Sequence, residues 1–136
     1  MRTALVTGAT GFIGRHVAQD LIAHGWTVRA LVRPTSVHAR WLPVEAEPRT
    51  GDILDRDAVH RAALGCDAVF HVAAHYSLAR HHARSVEHTN IRGTANVIAA
   101  VRRQDIPLVH TSSVATIGIP DDGTPGDEDS PLDPAS

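Results

Sequence analysis

Thr3-Ala4-Leu5-Val6-Thr7-Gly8-Ala9-Thr10-Gly11-Phe12-Ile13-Gly14 is the stretch whose reading decides the fold. Thr3 to Thr7 is a short β-branched and apolar run, as expected of a buried strand. Three glycines follow at positions 8, 11 and 14. From Gly11 to His24 the pattern turns helical, with Ile13, Val17 and Leu21 spaced every four residues on one face. A glycine-rich turn between a strand and a helix suits a phosphate group. Gly8 would allow the tight turn, Gly11 would let the backbone approach a diphosphate without a Cβ in the way, and Gly14 would let the helix sit close on the strand. Unpaired N–H groups at the helix start would face the anion. The competing reading is a glycine-rich turn with no ligand.

Outward from this stretch, Gly25 reads as the helix stop and Thr27–Val32 as a second strand. Residues 35–43 look irregular. A weak strand over Val44–Arg49 would have to lie at an edge, because Pro48 donates no hydrogen bond. Asp55 can cap a short helix over 56–64, and Gly65-Cys66-Asp67 turns the chain into a strand over Ala68–Ala73. A longer helix should cover about 85–103, with Asn90, Thr94, Val97 and Val101 on one face. Ile106–Thr111 reads as a fifth strand, followed by Ser112-Ser113. Strands alternating with helices over short links predict a doubly wound α/β fold. Its parallel sheet would have strand order 3-2-1-4-5, ending before the last strands of such a sheet, with a ligand crevice between strands 1 and 4.

The chain has 136 residues, enough for one sizeable core. Apolar residues make up 43% and charged residues 21%, which argues against a disordered chain. A net charge of −2 leaves no broad basic field to recruit nucleic acid, and no apolar run approaches a membrane span. The single cysteine, Cys66, excludes an internal disulfide and makes the cytoplasm the simplest location. All thirteen basic residues are arginines, which rules out mechanisms that need a lysine from this chain. Residues 1–116 carry these thirteen against nine acids and read as the folded domain. Residues 117–136 hold six acids and four prolines and read as an acidic loop or tail.

Two positions bear on what the crevice would hold. Arg33 stands at the exit of the second strand, where an acid would hold a ribose 2′-hydroxyl. A guanidinium there can grip a 2′-phosphate instead, and the alternative is a solvated surface arginine. Asp52, in Gly51-Asp52-Ile53, could accept from an adenine amino group with Ile53 flanking the ring, or it could simply hold a turn. Histidines 71, 75, 81, 82 and 88 show no recognisable metal-ligand spacing, so no metal is expected, and His71 reads as a satisfied core histidine. Asp127-Glu128-Asp129 lacks calcium-loop spacing and reads as solvated. Methyl transfer is the weaker alternative chemistry, because the first strand has no acid near its end.

In combination, TGATGFIG at 7–14, GDILD at 51–55, His71-Val72-Ala73-Ala74, Asn90-Ile91-Arg92-Gly93-Thr94 and Thr111-Ser112-Ser113 resemble the extended short-chain dehydrogenases/reductases, the NAD(P)-dependent epimerase/dehydratase family. Residues 30–36 and 110–118 look most like its branch of dihydroflavonol reductases and hopanoid-associated sugar epimerases. The resemblance covers residues 1 to about 118. It implies the N-terminal part of an enzyme working on a carbonyl or hydroxyl carbon of a small molecule, of the sugar-nucleotide or dihydroflavonol-like ketone class. It further implies NADP as coenzyme, with NAD the alternative, and is compatible with a homodimer of the intact protein.

By the same resemblance Gly8, Gly11, Phe12, Ile13 and Gly14 match the diphosphate loop, and Arg33 the ribose side. Asp52 and Ile53 match the adenine pocket, Val72, Ala73 and Ala74 the strand end along the coenzyme. Ser113 matches the serine that binds the substrate oxygen, with Ser112 beside it. One departure matters. The family's proton-transferring tyrosine and its lysine lie in a YxxxK downstream of that serine. This chain has no lysine, and its one tyrosine, Tyr76, lies upstream, where it would line the pocket. Tyr76 and Arg80 form a YxxxR only by coincidence. The chain alone is therefore expected to be inactive. An inert dinucleotide-binding or interaction module is the alternative from a different class.

Overall fold

The computed structural model describes residues 1–76, 83–120 and 122–132. Arg80, His81, His82, Asp121 and the last four residues, which figure in the readings above, lie outside the described residues. The sheet has five strands: β1 (Thr3–Thr7), β2 (Thr27–Val32), β3 (Glu47–Thr50), β4 (Ala68–His71) and β5 (Leu108–His110). Their order is β3-β2-β1-β4-β5, and every pairing is parallel, as the alternating pattern predicts.

The central strand β1 alternates its side chains between two cores. Leu5 packs with Val59, Val69 and Val97, beneath α2 (Arg56–Ala63) and α3 (Ala83–Gln104). Ala4 and Val6 pack on the other face with Ala18, Leu21 and Val28, beneath α1 (Phe12–Ala23). Both faces are covered, so β1 needs an unbroken apolar run. No helix among the described residues is long and apolar enough to cross a membrane.

The local stops work as the sequence suggests. Gly25 sits at φ +79°, and the N–H of Trp26 closes back onto the carbonyl of Leu21 at 3.0 Å. Asp55 caps α2 by accepting from the N–H groups of Asp57 and Ala58, each at 3.0 Å.

Several boundaries differ from the sequence reading, each for a local reason. β3 starts at Glu47, not Val44. Residues 43–46 form a turn closed by the Ala46 N–H on the Pro43 carbonyl, and Val44 points to solvent. Pro48 lies inside β3, which is tolerable only on an edge strand. β4 ends at His71: the Val72 N–H still reaches the Thr7 carbonyl, but the Ala73 N–H turns to the Thr7 side chain. β5 is shorter than expected, and Val114–Thr116 forms a 3₁₀ turn. Ala39–Trp41 forms another in the stretch read as irregular. The apolar face of α1 also shifts: Gly14, Ala18 and Leu21 are its buried residues, and Ile13 is 55% exposed. Residues 117–120 and 122–132 belong to an acidic loop that folds back, with the Gly118 N–H donating to the Ser130 carbonyl at 3.2 Å.

Candidate functional site

The sequence crosses over at the C-terminal end of β1, since β2 lies on one side of it and β4 on the other. Such a crossover leaves a crevice above the strand ends. Here it holds two adjoining clefts, of about 810 Å³ and about 450 Å³. They share one wall, made of Gly8, Gly11 and the strap Val72-Ala73-Ala74.

Backbone packing explains two of the three glycines. Gly8 is at φ +74°, and a Cβ there would come within 2.7 Å of the Ala73 nitrogen. A Cβ on Gly14 would run into the carbonyl of Gly8. Gly14 is thus needed where the helix meets its own entry loop, rather than where it meets the strand as the sequence reading has it. Gly11 is the N-cap of α1 and has no side chain to cap with, and the first turn holds no acid. The first N–H groups of α1 therefore receive no side-chain cap, and Phe12, Ile13 and Gly14 line the larger cleft.

The strap is pinned twice by Thr7. The Val72 N–H donates to the Thr7 carbonyl at 3.3 Å, and the Ala73 N–H to Thr7 Oγ1 at 3.2 Å. Beyond it, Asn90 on α3 holds His75 with both ends of its amide. Its Oδ1 accepts the His75 N–H at 2.7 Å and its Nδ2 donates to the His75 carbonyl at 3.0 Å. This clamp is absent from the sequence reading. The one hint is an amide on the stripe that α3 turns toward the sheet.

Arg33, Asp52 and Ile53 line the smaller cleft. The Arg33 side chain is exposed and makes no hydrogen bond or ion pair among the described residues. Asp52 Oδ1 accepts the Leu54 N–H at 2.9 Å, so the turn role holds, and the residue still faces the cleft. Ile53 is buried against Gly93, where a Cβ would strike its Cδ1 at 2.5 Å, and Asn96 Nδ2 donates to its carbonyl.

Ser113 and Ser112 line the larger cleft at the exit of β5, together with His110 and Thr94. Ser113 Oγ accepts the Ala115 N–H at 3.2 Å and so caps the 3₁₀ turn, which leaves its own hydroxyl hydrogen free to donate. Tyr76 does not line either cleft and is 80% exposed, because the Asn90 clamp fixes the chain just before it. Among the described residues no three His, Cys, Asp or Glu side chains converge as a metal site would require. Burial pushes the Cys66 thiol up from its usual range, with the Arg29 guanidinium opposing the shift.

The arrangement matches known proteins over nearly the whole chain. A curated relative, a putative dihydroflavonol 4-reductase of Synechocystis, is 40% identical over 124 residues, 90% of this chain and 36% of that protein. A 2-alkyl-3-oxoalkanoate reductase of Shewanella oneidensis is 40% identical over 81% of this chain and 28% of its own length. The crystal structure of a Thermus thermophilus UDP-glucose 4-epimerase in complex with NAD superposes with a TM-score of 0.83 at 28% identity, covering 98% of this chain and 45% of that one. The chain spans less than half the length of each. The model of the NAD dependent epimerase/dehydratase family matches residues 4–136. With a parallel 3-2-1-4-5 sheet, a glycine-capped first helix and that match, the chain belongs to the NAD dependent epimerase/dehydratase family.

Proposed function

We propose that these residues form the coenzyme-holding part of an NADP-dependent oxidoreductase or epimerase. Its substrate is a small molecule with a ketone or secondary alcohol, of the dihydroflavonol-like or sugar-nucleotide class. The observation that carries this reading is the uncapped start of α1, whose N-cap Gly11 lines both clefts, with Arg33, unpaired among the described residues, lining the smaller one. The site fits a dinucleotide by its shape: Gly11, with no side chain, lines both clefts at the start of α1, and a Cβ there would have only the Gly8 carbonyl as a close neighbour.

The N–H groups at the start of α1 and its positive end attract a diphosphate. Arg33 pairs with a 2′-phosphate through two N–H donors. Asp52 has one carboxylate oxygen engaged by Leu54 and the other available to an adenine amino group. Val72 and Ala73 form an apolar wall that keeps water from the reacting side. A nicotinamide coenzyme, when bound, supplies hydride donation and acceptance. Ser113 donates its hydroxyl hydrogen to the substrate oxygen and so orients the carbon to be reduced or oxidised. The chain has no lysine, and its only tyrosine lies outside both clefts. These residues alone are therefore proposed to bind coenzyme without ordinary turnover.

The test is calorimetric titration with NADPH and NADH, for the wild type and for Arg33→Ala. NADPH should bind the wild type more tightly. The substitution should weaken NADPH by about tenfold or more while leaving NADH nearly unchanged, as expected for a lost charge-assisted pair. Equal affinities, or a ratio untouched by the substitution, refute the role of Arg33. No binding of either coenzyme refutes the whole reading.

A further inference from the structure

Thr7 and His71 are the two polar residues that the described part of the chain buries, and they lie side by side at the crossover. His71 Nδ1 is 2.7 Å from Thr7 Oγ1, and His71 Nε2 is 3.0 Å from Thr94 Oγ1 on α3. Thr7 Oγ1 also accepts the Ala73 N–H. A hydroxyl carries a single hydrogen, and that of Thr7 is cut off from water, so it needs an acceptor in the protein. The acceptor within its reach is His71 Nδ1. Nδ1 must then be bare, which puts the ring proton on Nε2, donating to Thr94.

The opposite tautomer, or a protonated ring, would point an N–H at Thr7 Oγ1. That oxygen would then accept twice, and its own hydrogen would be left buried without a partner. Burial, and after it the His110 imidazole whose ring centre lies 5.3 Å away, favour a neutral ring.

We infer that His71 is a positioning residue for the coenzyme cleft: its bare Nδ1 fixes the Thr7 hydroxyl, and Thr7 in turn holds the Ala73 amide and the strap against Gly8. The strap is part of the wall common to both clefts, and it leaves no room for a Cβ on Gly8. A slackened strap therefore disturbs both halves of the ligand space. The inference rests on the coenzyme reading proposed above.

Two substitutions separate the two ring nitrogens. His71→Asn keeps an acceptor near the place of Nδ1 and gives up Thr94. His71→Gln reaches toward Thr94 and gives up the acceptor for Thr7. NADPH affinity should stay within about threefold of wild type for His71→Asn and fall by about tenfold or more for His71→Gln, although both lose thermal stability. In the unsubstituted protein, ¹⁵N NMR of the imidazole should find the proton on Nε2.

A proton on Nδ1, or equal NADPH affinity in the Asn and Gln variants, overturns the inference while leaving the coenzyme reading standing. The NMR measurement decides even where a variant fails to fold. A wild-type protein that binds neither NADPH nor NADH takes the coenzyme reading down first, and the inference with it.

Discussion

Acid should destabilise this fold through one identifiable group, His71. Its side chain is 1% exposed, and burial, followed by the nearby His110, lowers its pKa from 6.5 to about 4. In the unfolded chain the same imidazole titrates near 6.5. The folded pKa is therefore the lower one, so below pH 6.5 the unfolded chain binds a proton that the folded chain refuses. Stability is full above pH 6.5 and is lost as the pH falls toward 4, where the loss levels off. With 1.36 kcal/mol per pKa unit, the loss from pH 7.5 to pH 5 is about 2 kcal/mol, and it reaches about 3 kcal/mol below pH 4. Other groups also titrate in this range, so the comparison is with His71→Asn, which cannot take up the proton. Urea unfolding of both proteins at pH 7.5, 6 and 5 measures the difference. The advantage of the wild type over the variant should shrink by about 2 kcal/mol across that window. An advantage that holds constant with pH, or grows toward acid, would show that His71 is not buried as a neutral ring.

Further outcomes follow from single contacts. Gly14→Ala drives a methyl into the Gly8 carbonyl, so it should cost about 1–3 kcal/mol and abolish coenzyme binding, read by thermal melting and by calorimetry. Asp55→Ala removes the acceptor shared by two N–H groups of α2 and should cost about 1 kcal/mol in urea unfolding, with coenzyme affinity unchanged. The Cys66 thiol is buried and its pKa is raised, so a thiol-disulfide reagent should react with it slowly in the native protein and quickly in urea.

The fold was readable in the sequence because its strongest local patterns agree with its topology. The run Thr3–Thr7 shows its burial on both faces in its own composition, and the glycine at position 25 and the cap at Asp55 work through neighbours a few residues away. Boundaries failed where a distant residue takes over a hydrogen bond. Just past the end of β4, the Ala73 amide is taken by the side chain of Thr7, sixty-six residues earlier. Ile13 repeats correctly with Val17 and Leu21, yet it faces the cleft because Gly14 presses against Gly8 and turns the helix face by one residue. Of the candidate site, the twelve residues matched to coenzyme or substrate line one cleft or the other, whereas Tyr76, expected to line the pocket, lies outside both. What the sequence could not display was the support behind them. Asn90 holding His75, and Gly93 making room for Ile53, join positions that no spacing rule relates.

A partition with one surface on each side has a thermodynamic consequence for any ligand that puts a head group in each cleft. Once the first head is seated, the second no longer searches the solution; it is tethered at a high local concentration beside its own half-site. Two halves supplied as separate molecules forgo that advantage and should bind far more weakly than the joined molecule. If seating one half also firms the partition, the second half should bind more readily in its presence than alone.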